Sequence, residues 1–160
     1  MDNETFSKDT IEFLSLLSKH EVRYVIVGGE AVIYYGHVRL TGDTDFFYDA
    51  SESNAIKLYD ALIEFWEGSI PGISTHVEFT VPGTIIQLGK PPNRIDLINT
   101  IEGVTFEEAW ESKVRENIKL EDEQISIYYI GIDKLIQNKA ALKRNKDQDD
   151  LKFLQALLEE

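Results

Sequence analysis

Apolar residues recur along the chain with the two spacings that distinguish helices from strands. Spacings of three and four residues predict helices over residues 6–19, 52–66, 106–112, 131–144 and 147–159, and a shorter helical segment over 30–35. Short runs of β-branched and aromatic residues predict strands over residues 23–27, 44–48, 84–88, 94–98 and 125–130. Residues 68–83 contain three glycines and two prolines, so we expect them to be mostly loop.

The order of these segments predicts the fold class. Strands and helices alternate without a strict repeat, which favours an α/β (α+β) fold with a mixed central sheet flanked by helices and a C-terminal helical pair. A guide of roughly 150 residues per domain predicts a single domain over residues 1–160, to which the helices within 131–160 could form an appendage. No apolar stretch approaches the roughly 18 residues of a membrane span, so we expect no membrane partner.

Composition narrows the chemistry and the compartment. Hydrophobic residues make up 42% of the chain, which is enough for a packed core. The absence of cysteine excludes disulfides, cysteine-ligated zinc and a thiol nucleophile. The acidic start of the chain is unlike a secretory signal, and together these features predict a cytoplasmic protein.

The charge is strongly acidic, with one local exception. A formal net charge of −13 argues against a broad nucleic-acid-binding surface. The exception is a basic cluster within residues 139–146, which holds four positive charges and no acid. We expect an anion to meet this cluster.

A pair of aspartates, Asp43 and Asp45, gives the densest chemical signal. In an extended segment both lie on one face, while Thr44, Phe46 and Tyr48 lie on the other, where they suit a core. Two carboxylates about 4 Å apart repel by about 4 kcal/mol at an effective dielectric constant near 20. A proton, a basic side chain or a divalent cation is therefore needed to relieve the repulsion.

A third carboxylate, Asp96, lies in the middle of the predicted strand 94–98. A charge in an apolar strand is costly to bury unless it is paired or bound to a metal. Arg94 lies two residues away on the same strand face and is the alternative partner. Because one arginine can serve only one or two acids, three converging carboxylates favour a cation, and oxygen ligands favour Mg²⁺ or Mn²⁺.

These residues together resemble a known family. Gly28-Gly29, thirteen intervening residues, Asp43-x-Asp45 and a distant Asp96 resemble the nucleotidyltransferase superfamily of the DNA polymerase β type. The resemblance is closest to its small bacterial members, which include minimal nucleotidyltransferases and the nucleotidyltransferases of toxin–antitoxin systems. It covers roughly residues 22–158, with further similar blocks at Arg39-x-Thr41, Arg94-Ile-Asp96-Leu97, residues 106–110 and residues 135–151.

The resemblance implies a nucleotidyltransferase fold and a mechanism. Asp43 and Asp45 would hold Mg²⁺ ions on a nucleoside triphosphate, and Asp96 would share one ion and help to activate a hydroxyl acceptor. A nucleoside monophosphate would move to that acceptor with release of pyrophosphate. The acceptor could be a protein side chain, a tRNA end or a small molecule, and a toxin–antitoxin partner is also implied. The alternative is a non-catalytic antitoxin-like or nucleotide-binding partner protein of the same fold.

The resemblance also implies that two glycines line the nucleotide site. Gly28 and Gly29 would let backbone N–H groups approach phosphate, because no Cβ stands in the way. Many relatives carry serine at the second position. Gly29 offers no hydroxyl there, so the backbone would have to suffice.

Two basic residues are further candidates for the nucleotide site. Arg39 could contact phosphate or pair with Asp43 or Asp45. Lys139 lies on the apolar face of a predicted helix, where it could bind phosphate or extend its ammonium along the surface to water.

The remaining charges of the C-terminal region have simpler interpretations. For Lys143, Arg144 and Lys146, solvation or pairing with Asp147 and Asp150 is favoured over phosphate binding. Asp147 and Asp150 flank the start of the last helix, whose dipole they complement, and we interpret them as structural.

Overall fold

Six strands and six α-helices form the part of the chain that the computed structural model describes, residues 5–160. The strands are β1 (Tyr24–Val27), β2 (Asp43–Tyr48), β3 (Ile85–Leu88), β4 (Arg94–Ile98), β5 (Val114–Lys119) and β6 (Gln124–Tyr129). The helices are α1 (Lys8–Lys19), α2 (Gly28–Tyr34), α3 (Glu52–Phe65), α4 (Phe106–Ser112), α5 (Ile132–Ala141) and α6 (Asn145–Leu158). Residues 1–4, which carry the acidic start of the chain, lie outside the described residues.

The strands form one mixed sheet in the order β3-β4-β2-β1-β6-β5. β2 pairs parallel with β4 and antiparallel with β1, and β1 pairs parallel with β6. β3 pairs antiparallel with β4 at one edge of the sheet, and β5 pairs antiparallel with β6 at the other. The predicted α+β class with a mixed central sheet and a C-terminal helical pair is confirmed. This order places β2 and β4 side by side, although residues 49–93 lie between them along the chain.

The two faces of β2 are packed differently. On one face the Phe46 ring packs edge-to-face on Phe13 of α1, with 5.2 Å between the ring centroids. On the other face Phe47 packs on Phe106 of α4 at 5.3 Å. Edge-to-face pairs of buried rings stabilise a core beyond the area that they bury. The alternation predicted for residues 43–48 is therefore confirmed, and it leaves Asp43 and Asp45 on the Phe47 face.

Local sequence signals explain where two of the helices begin. Ser51 directly precedes α3, and its side chain accepts a hydrogen bond from the backbone N–H of Asn54 in the first turn of that helix. The loop predicted over 68–83 is interrupted by a 3-10 helix at His76–Thr80. A capping box of Thr75 and Glu78 begins that helix, and the buried side chain of Phe79 anchors it.

The main differences from the sequence prediction concern β5, α2 and the break between α5 and α6, which lies at residues 142–144 rather than 145–146. β5 was not predicted, because charged and amide side chains occupy most of its positions. It is the last strand of the sheet and pairs only with β6. A strand at this position is less enclosed than a central strand, so its side chains can be polar. α2 begins at Gly28 rather than at residue 30, so the two glycines form the first turn of the helix instead of a separating loop.

None of the helices in residues 5–160 combines the length and the apolar character that a membrane crossing requires.

Candidate metal centre

Three aspartates from two neighbouring strands lie together at one end of the sheet. Asp43 and Asp45 lie on β2, and Asp96 lies on β4 directly opposite Asp45 in the parallel pair. One carboxylate oxygen from each lies within 4.8 Å of the others. The parallel pairing of β2 with β4 creates this cluster, because it aligns the middle of one strand with the middle of the other.

Burial makes the negative charge of this cluster costly. Burial, with the charges of Asp43 and Asp96 added, raises the pKa of Asp45 to about 7. Burial also raises the pKa of Asp96, although the hydrogen bond from Arg94 opposes that rise. The pKa of Glu30 on α2 is raised by burial and by the charge of Asp43. The site therefore favours any cation that neutralises it.

Arg94 supplies one such cation to two of the three acids. Its Nε lies 2.7 Å from Asp96 Oδ1, and its Nη2 lies 3.0 Å from Asp96 Oδ2. The same Nη2 lies 2.8 Å from Asp43 Oδ2. The arginine pairing that the sequence offered as an alternative to a metal is thus present for Asp43 and Asp96.

The chemistry of the donor set fits a hard divalent cation. All three donors are carboxylate oxygens, which suit Mg²⁺ or Mn²⁺. The oxygens lie within 4.8 Å of one another and would have to move closer together to share one ion, since ligands about 2.1 Å from an octahedral ion lie about 3–4 Å apart. The assignment of Asp43, Asp45 and Asp96 as metal ligands and catalytic residues stays a prediction.

The two glycines of α2 make room for the residues of β2 and of the loop before it. Gly28 has a φ of +66°, and a Cβ there would collide with Asp45 Oδ2. A Cβ on Gly29 would lie 2.9 Å from the hydroxyl oxygen of Thr41. Close packing thus requires both glycines, and their expected approach to phosphate stays a prediction. The Thr41 hydroxyl fills the space above Gly29 into which a serine side chain would project.

A cavity of about 320 Å³ opens over the carboxylates. Its lining includes all the predicted site residues, namely Gly28, Gly29, Arg39, Asp43, Asp45, Asp96 and Lys139. It also includes Arg94, Arg144 and Lys146, whereas Lys143 is exposed elsewhere. The cavity lining therefore combines the three aspartates with a group of basic residues that we call the basic wall, namely Arg39, Lys139, Arg144 and Lys146.

Buried aspartates of α6 hold this basic wall in place. Lys139 is only 3% exposed, and its Nζ lies 3.0 Å from both Asp147 Oδ1 and Asp150 Oδ2. The alternative in which Lys139 extends to water is therefore wrong, because two buried carboxylates enclose its ammonium. Arg39 pairs with Asp150 rather than with Asp43 or Asp45, so that expected pairing was also wrong.

The pairing expected of Arg144 is present. Its Nε lies 2.6 Å from Asp147 Oδ2. Burial alone would raise the pKa of Asp147, but the hydrogen bonds from Arg144 and Lys139 outweigh it and lower that pKa. Asp147 thus stays ionised and binds both cations, which agrees with the structural role expected for it.

A second, more apolar cavity of about 520 Å³ adjoins the first, and sequence reasoning missed it. The two cavities share Gly28, Asp45, Lys139 and other residues. The apolar part of the second lining consists of Val27, Ile85, Ile98, Ile101 and Leu142. Ile98 could have been found from the sequence, because strand alternation places it on the same face as Asp96. Ile85 could not, because its position depends on the pairing of β3 with β4.

Comparison with known proteins identifies a family. A family model described as "Nucleotidyltransferase of unknown function (DUF6036)" matches residues 8–158. A comparison with curated proteins gives no significant match. The matched span contains every residue of the carboxylate cluster and of the basic wall. The chain therefore belongs to this family of nucleotidyltransferases.

Proposed function

We propose that the protein transfers a nucleoside monophosphate from a nucleoside triphosphate to a hydroxyl acceptor, with Mg²⁺ or Mn²⁺ as cofactor and pyrophosphate as the second product. The observation that carries this proposal is the meeting of Asp43, Asp45 and Asp96 at a cavity that basic side chains also line. Family membership supports nucleotidyl transfer in general. The metal, the triphosphate and the acceptor are our inference from the site.

The carboxylates would hold the metal and orient the reacting groups. Asp43, Asp45 and Asp96 are the residues that would bind the cation. A bound divalent cation would neutralise charge on the triphosphate and on the departing pyrophosphate. Asp96 lies one strand further from Gly28 than Asp45 does, towards the edge strand β3. An acceptor that arrives from this edge would meet Asp96 first.

The proposed reaction is an in-line displacement at the α-phosphorus. The acceptor oxygen forms a bond to this phosphorus while the bond to the oxygen bridging to the β-phosphate breaks. Pyrophosphate leaves with the electron pair of that bond. The acceptor proton passes to Asp96.

The two cavities divide the substrate by polarity. Arg39, Arg144 and Lys146 line the polar cavity and would face the triphosphate, and Lys139 would add positive charge from its buried position in the same lining. Backbone N–H groups of Gly28 and Gly29 would approach phosphate at the same wall. The adjoining apolar cavity has room for a base and ribose, beside Ile85 and Leu142.

The acceptor remains one of three classes, namely a protein side chain, a tRNA end or a small molecule. The net charge of −13 disfavours the tRNA end unless residues 139–146 dock it. A protein acceptor could be the partner of this protein in a toxin–antitoxin pair. We propose that the protein acts in the cytoplasm, whether it modifies such a partner or only binds it.

A labelling experiment tests the proposal. The protein is incubated with each α-labelled nucleoside triphosphate, Mg²⁺ or Mn²⁺, and a cell extract that is afterwards divided into protein, RNA and small-molecule fractions. We expect metal-dependent transfer of label to one fraction. Asp43→Asn with Asp45→Asn should abolish it, whereas Asp149→Asn, which changes an exposed acid of α6, should not.

Two outcomes would count against the proposal in different ways. Absence of metal-dependent triphosphate binding by the wild type would end the enzymatic interpretation. Binding without transfer to any fraction would favour the non-catalytic, nucleotide-binding partner protein instead.

A further inference from the structure

We infer that Arg94 acts as the resident cation of the carboxylate cluster and that a divalent cation must displace it in order to bind. The inference rests on the proposed metal site and goes beyond it, because it assigns a role to a residue that is not itself a ligand. Arg94 is on this account a positioning residue. It keeps the Asp43 and Asp96 carboxylates together in the metal-free protein and lowers the affinity of the site for a free metal ion.

The first support is that Arg94 uses the oxygens that a metal needs. Its planar fork binds both oxygens of Asp96, and its Nη2 also binds Asp43 Oδ2. The other Asp43 oxygen accepts a hydrogen bond of 3.2 Å from the Thr41 hydroxyl. Of the three acids, only Asp45 has no contact with the guanidinium. A metal ion that binds all three must therefore compete with the arginine for Asp96, both of whose oxygens accept from the guanidinium, and must share Asp43 with it.

The second support is that Arg94 can leave while the carboxylates stay. The side chain of Arg94 is 28% exposed, whereas that of Asp96 is 9% exposed. The backbone of Arg94 is fixed in the sheet by pairing with Asp43, so only the side chain has to turn towards solvent. The long, flexible side chain makes such a turn feasible without a change of fold.

The third support is that one arginine leaves the cluster incompletely neutralised. Three carboxylates face a single guanidinium, which contacts Asp43 and Asp96 and leaves Asp45 without a contact to it. A doubly charged ion meets this demand better than a singly charged side chain does. The displaced guanidinium has a new anion available, because Arg94 lines the cavity that would hold the triphosphate. The site would thus favour a metal that arrives with its triphosphate over a metal alone.

Metal binding without nucleotide tests the inference. Mn²⁺ affinity is measured by electron paramagnetic resonance for the wild type, Arg94→Gln, Arg94→Lys and a matched control, Arg115→Gln. Arg115 is an exposed arginine of β5 at the far edge of the sheet, where its Nε bonds to Ser126. We expect Arg94→Gln to bind Mn²⁺ about tenfold more tightly than the wild type, as loss of a competing group of this kind implies. Arg115→Gln should match the wild type.

The lysine variant keeps the test decisive if the glutamine variant does not fold. Lysine retains the positive charge but cannot form the planar fork, so Arg94→Lys should also bind Mn²⁺ more tightly, although by a smaller factor. Equal or weaker Mn²⁺ binding by the folded variants would overturn the inference, because it would mean that Arg94 supports the bound metal. Absence of Mn²⁺ binding from the wild type and the variants alike would also overturn it.

The reactivity of Arg94 gives an independent readout in the wild type. Phenylglyoxal modifies accessible arginines, and peptide mass spectrometry locates the modification. Mn²⁺ should speed the modification of Arg94 and leave that of Arg115 unchanged. Protection of Arg94 by Mn²⁺ would contradict displacement.

These outcomes separate the inference from the proposed function. Weaker metal binding by Arg94→Gln together with intact label transfer by the wild type would refute the role of Arg94 and leave the transferase standing. Tighter metal binding by Arg94→Gln without any label transfer by the wild type would support the role of Arg94 and refute the transferase.

Discussion

At the scale of single residues, Gly28 determines whether Asp45 can face the cavity. Its φ of +66° suits glycine, and its missing side chain leaves space for Asp45 Oδ2. Sequence reasoning placed Gly28 at the site because glycine permits close approach to a phosphate. It could not reveal that the nearest approach is made by a carboxylate of the same chain, because that contact depends on the pairing of β1 with β2.

Gly28→Ala should weaken metal binding as well as stability. Alanine adds backbone strain at a positive φ and also pushes Asp45 out of position. Gly72→Ala is the matched control, because Gly72 has a φ of +77° but no atom within 4 Å of the new Cβ. Both variants should lower the melting temperature, and only Gly28→Ala should also lower Mn²⁺ affinity. Equal Mn²⁺ affinity in the two variants would show that the Asp45 contact is unimportant.

The raised pKa of Asp45 predicts a pH dependence. Its ordinary value is 3.8 and its value in the fold is about 7, so between these values the folded protein holds a proton that the unfolded chain has released. The free energy of unfolding of the metal-free protein should therefore fall as pH rises through this window. The raised pKa values of Asp96 and Glu30 act in the same direction.

Metal should reverse this loss, because a cation stabilises the ionised carboxylates. Thermal melts should show a larger stabilisation by Mn²⁺ at about pH 8 than at about pH 6, since the ion competes with the proton below pH 7. Asp45→Asn should reduce the pH dependence, and Asp149→Asn should leave it unchanged. Stabilisation by Mn²⁺ that is independent of pH would argue against the cluster as the metal site.

Asp96→Asn should separate transfer from binding. Asp96 lies on the side of the cluster nearer the edge strand β3, where the acceptor is proposed to approach, and it is the proposed base. We expect the rate of label transfer to fall by about a hundredfold or more, as is typical for loss of a general base, with a much smaller loss of triphosphate affinity. Equal losses of transfer and of binding would mean that Asp96 serves only to hold the metal.

At the scale of elements, the packing of α6 against α5 determines which anions pair with the basic residues of the cavity. Sequence reasoning showed that Lys139 lies on an apolar helix face and needs an anion or a route to water. It could not decide between a phosphate and an internal carboxylate, because Asp147 and Asp150 could equally have faced solvent. In the structure α6 packs against α5, and this packing buries both aspartates against Lys139.

Lys139→Met should destabilise the fold and not merely weaken nucleotide binding. The change keeps the length of the side chain but removes a charge that is 3% exposed and paired with two buried carboxylates. Removing one partner of such a buried group costs about 3–5 kcal/mol. Lys143→Met is the control, because Lys143 is exposed and outside the cavity. Urea denaturation should show the difference, and equal stability of the two variants would contradict the role of Lys139 in holding α5 and α6 together.

The strands show where sequence patterns succeed and where they fail. β2 and β4 were predicted because apolar residues surround their aspartates. β5 was missed because an edge strand paired on one side tolerates polar residues such as Arg115, Glu116 and Asn117. The convergence of Asp43, Asp45 and Asp96 was anticipated from the family resemblance, since residue spacing alone does not reveal which strands are neighbours.

At the scale of the whole molecule, charge predicts selectivity among polyanions. The chain carries a net charge of −13, while the four basic residues of the cavity wall are concentrated at one site. A single triphosphate needs to contact only the cavity that these residues line, whereas a long nucleic acid would also meet the acidic remainder of the chain. Fluorescence anisotropy at about 0.15 M salt should therefore detect metal-dependent triphosphate binding and no binding of bulk tRNA. Salt-sensitive tRNA binding that is lost in Lys143→Met would instead identify residues 139–146 as a docking site.

The central claim is that Asp43, Asp45 and Asp96 bind a divalent metal with a nucleoside triphosphate. Its most direct test is a crystal structure with Mn²⁺ and a triphosphate, in which anomalous scattering locates the metal. We predict an anomalous peak within about 2.1–2.3 Å of oxygens from all three aspartates, with the guanidinium of Arg94 turned away from Asp43 and Asp96. A structure in which the triphosphate is bound, no metal lies among the three aspartates and Arg94 still bridges Asp43 and Asp96 would contradict the claim.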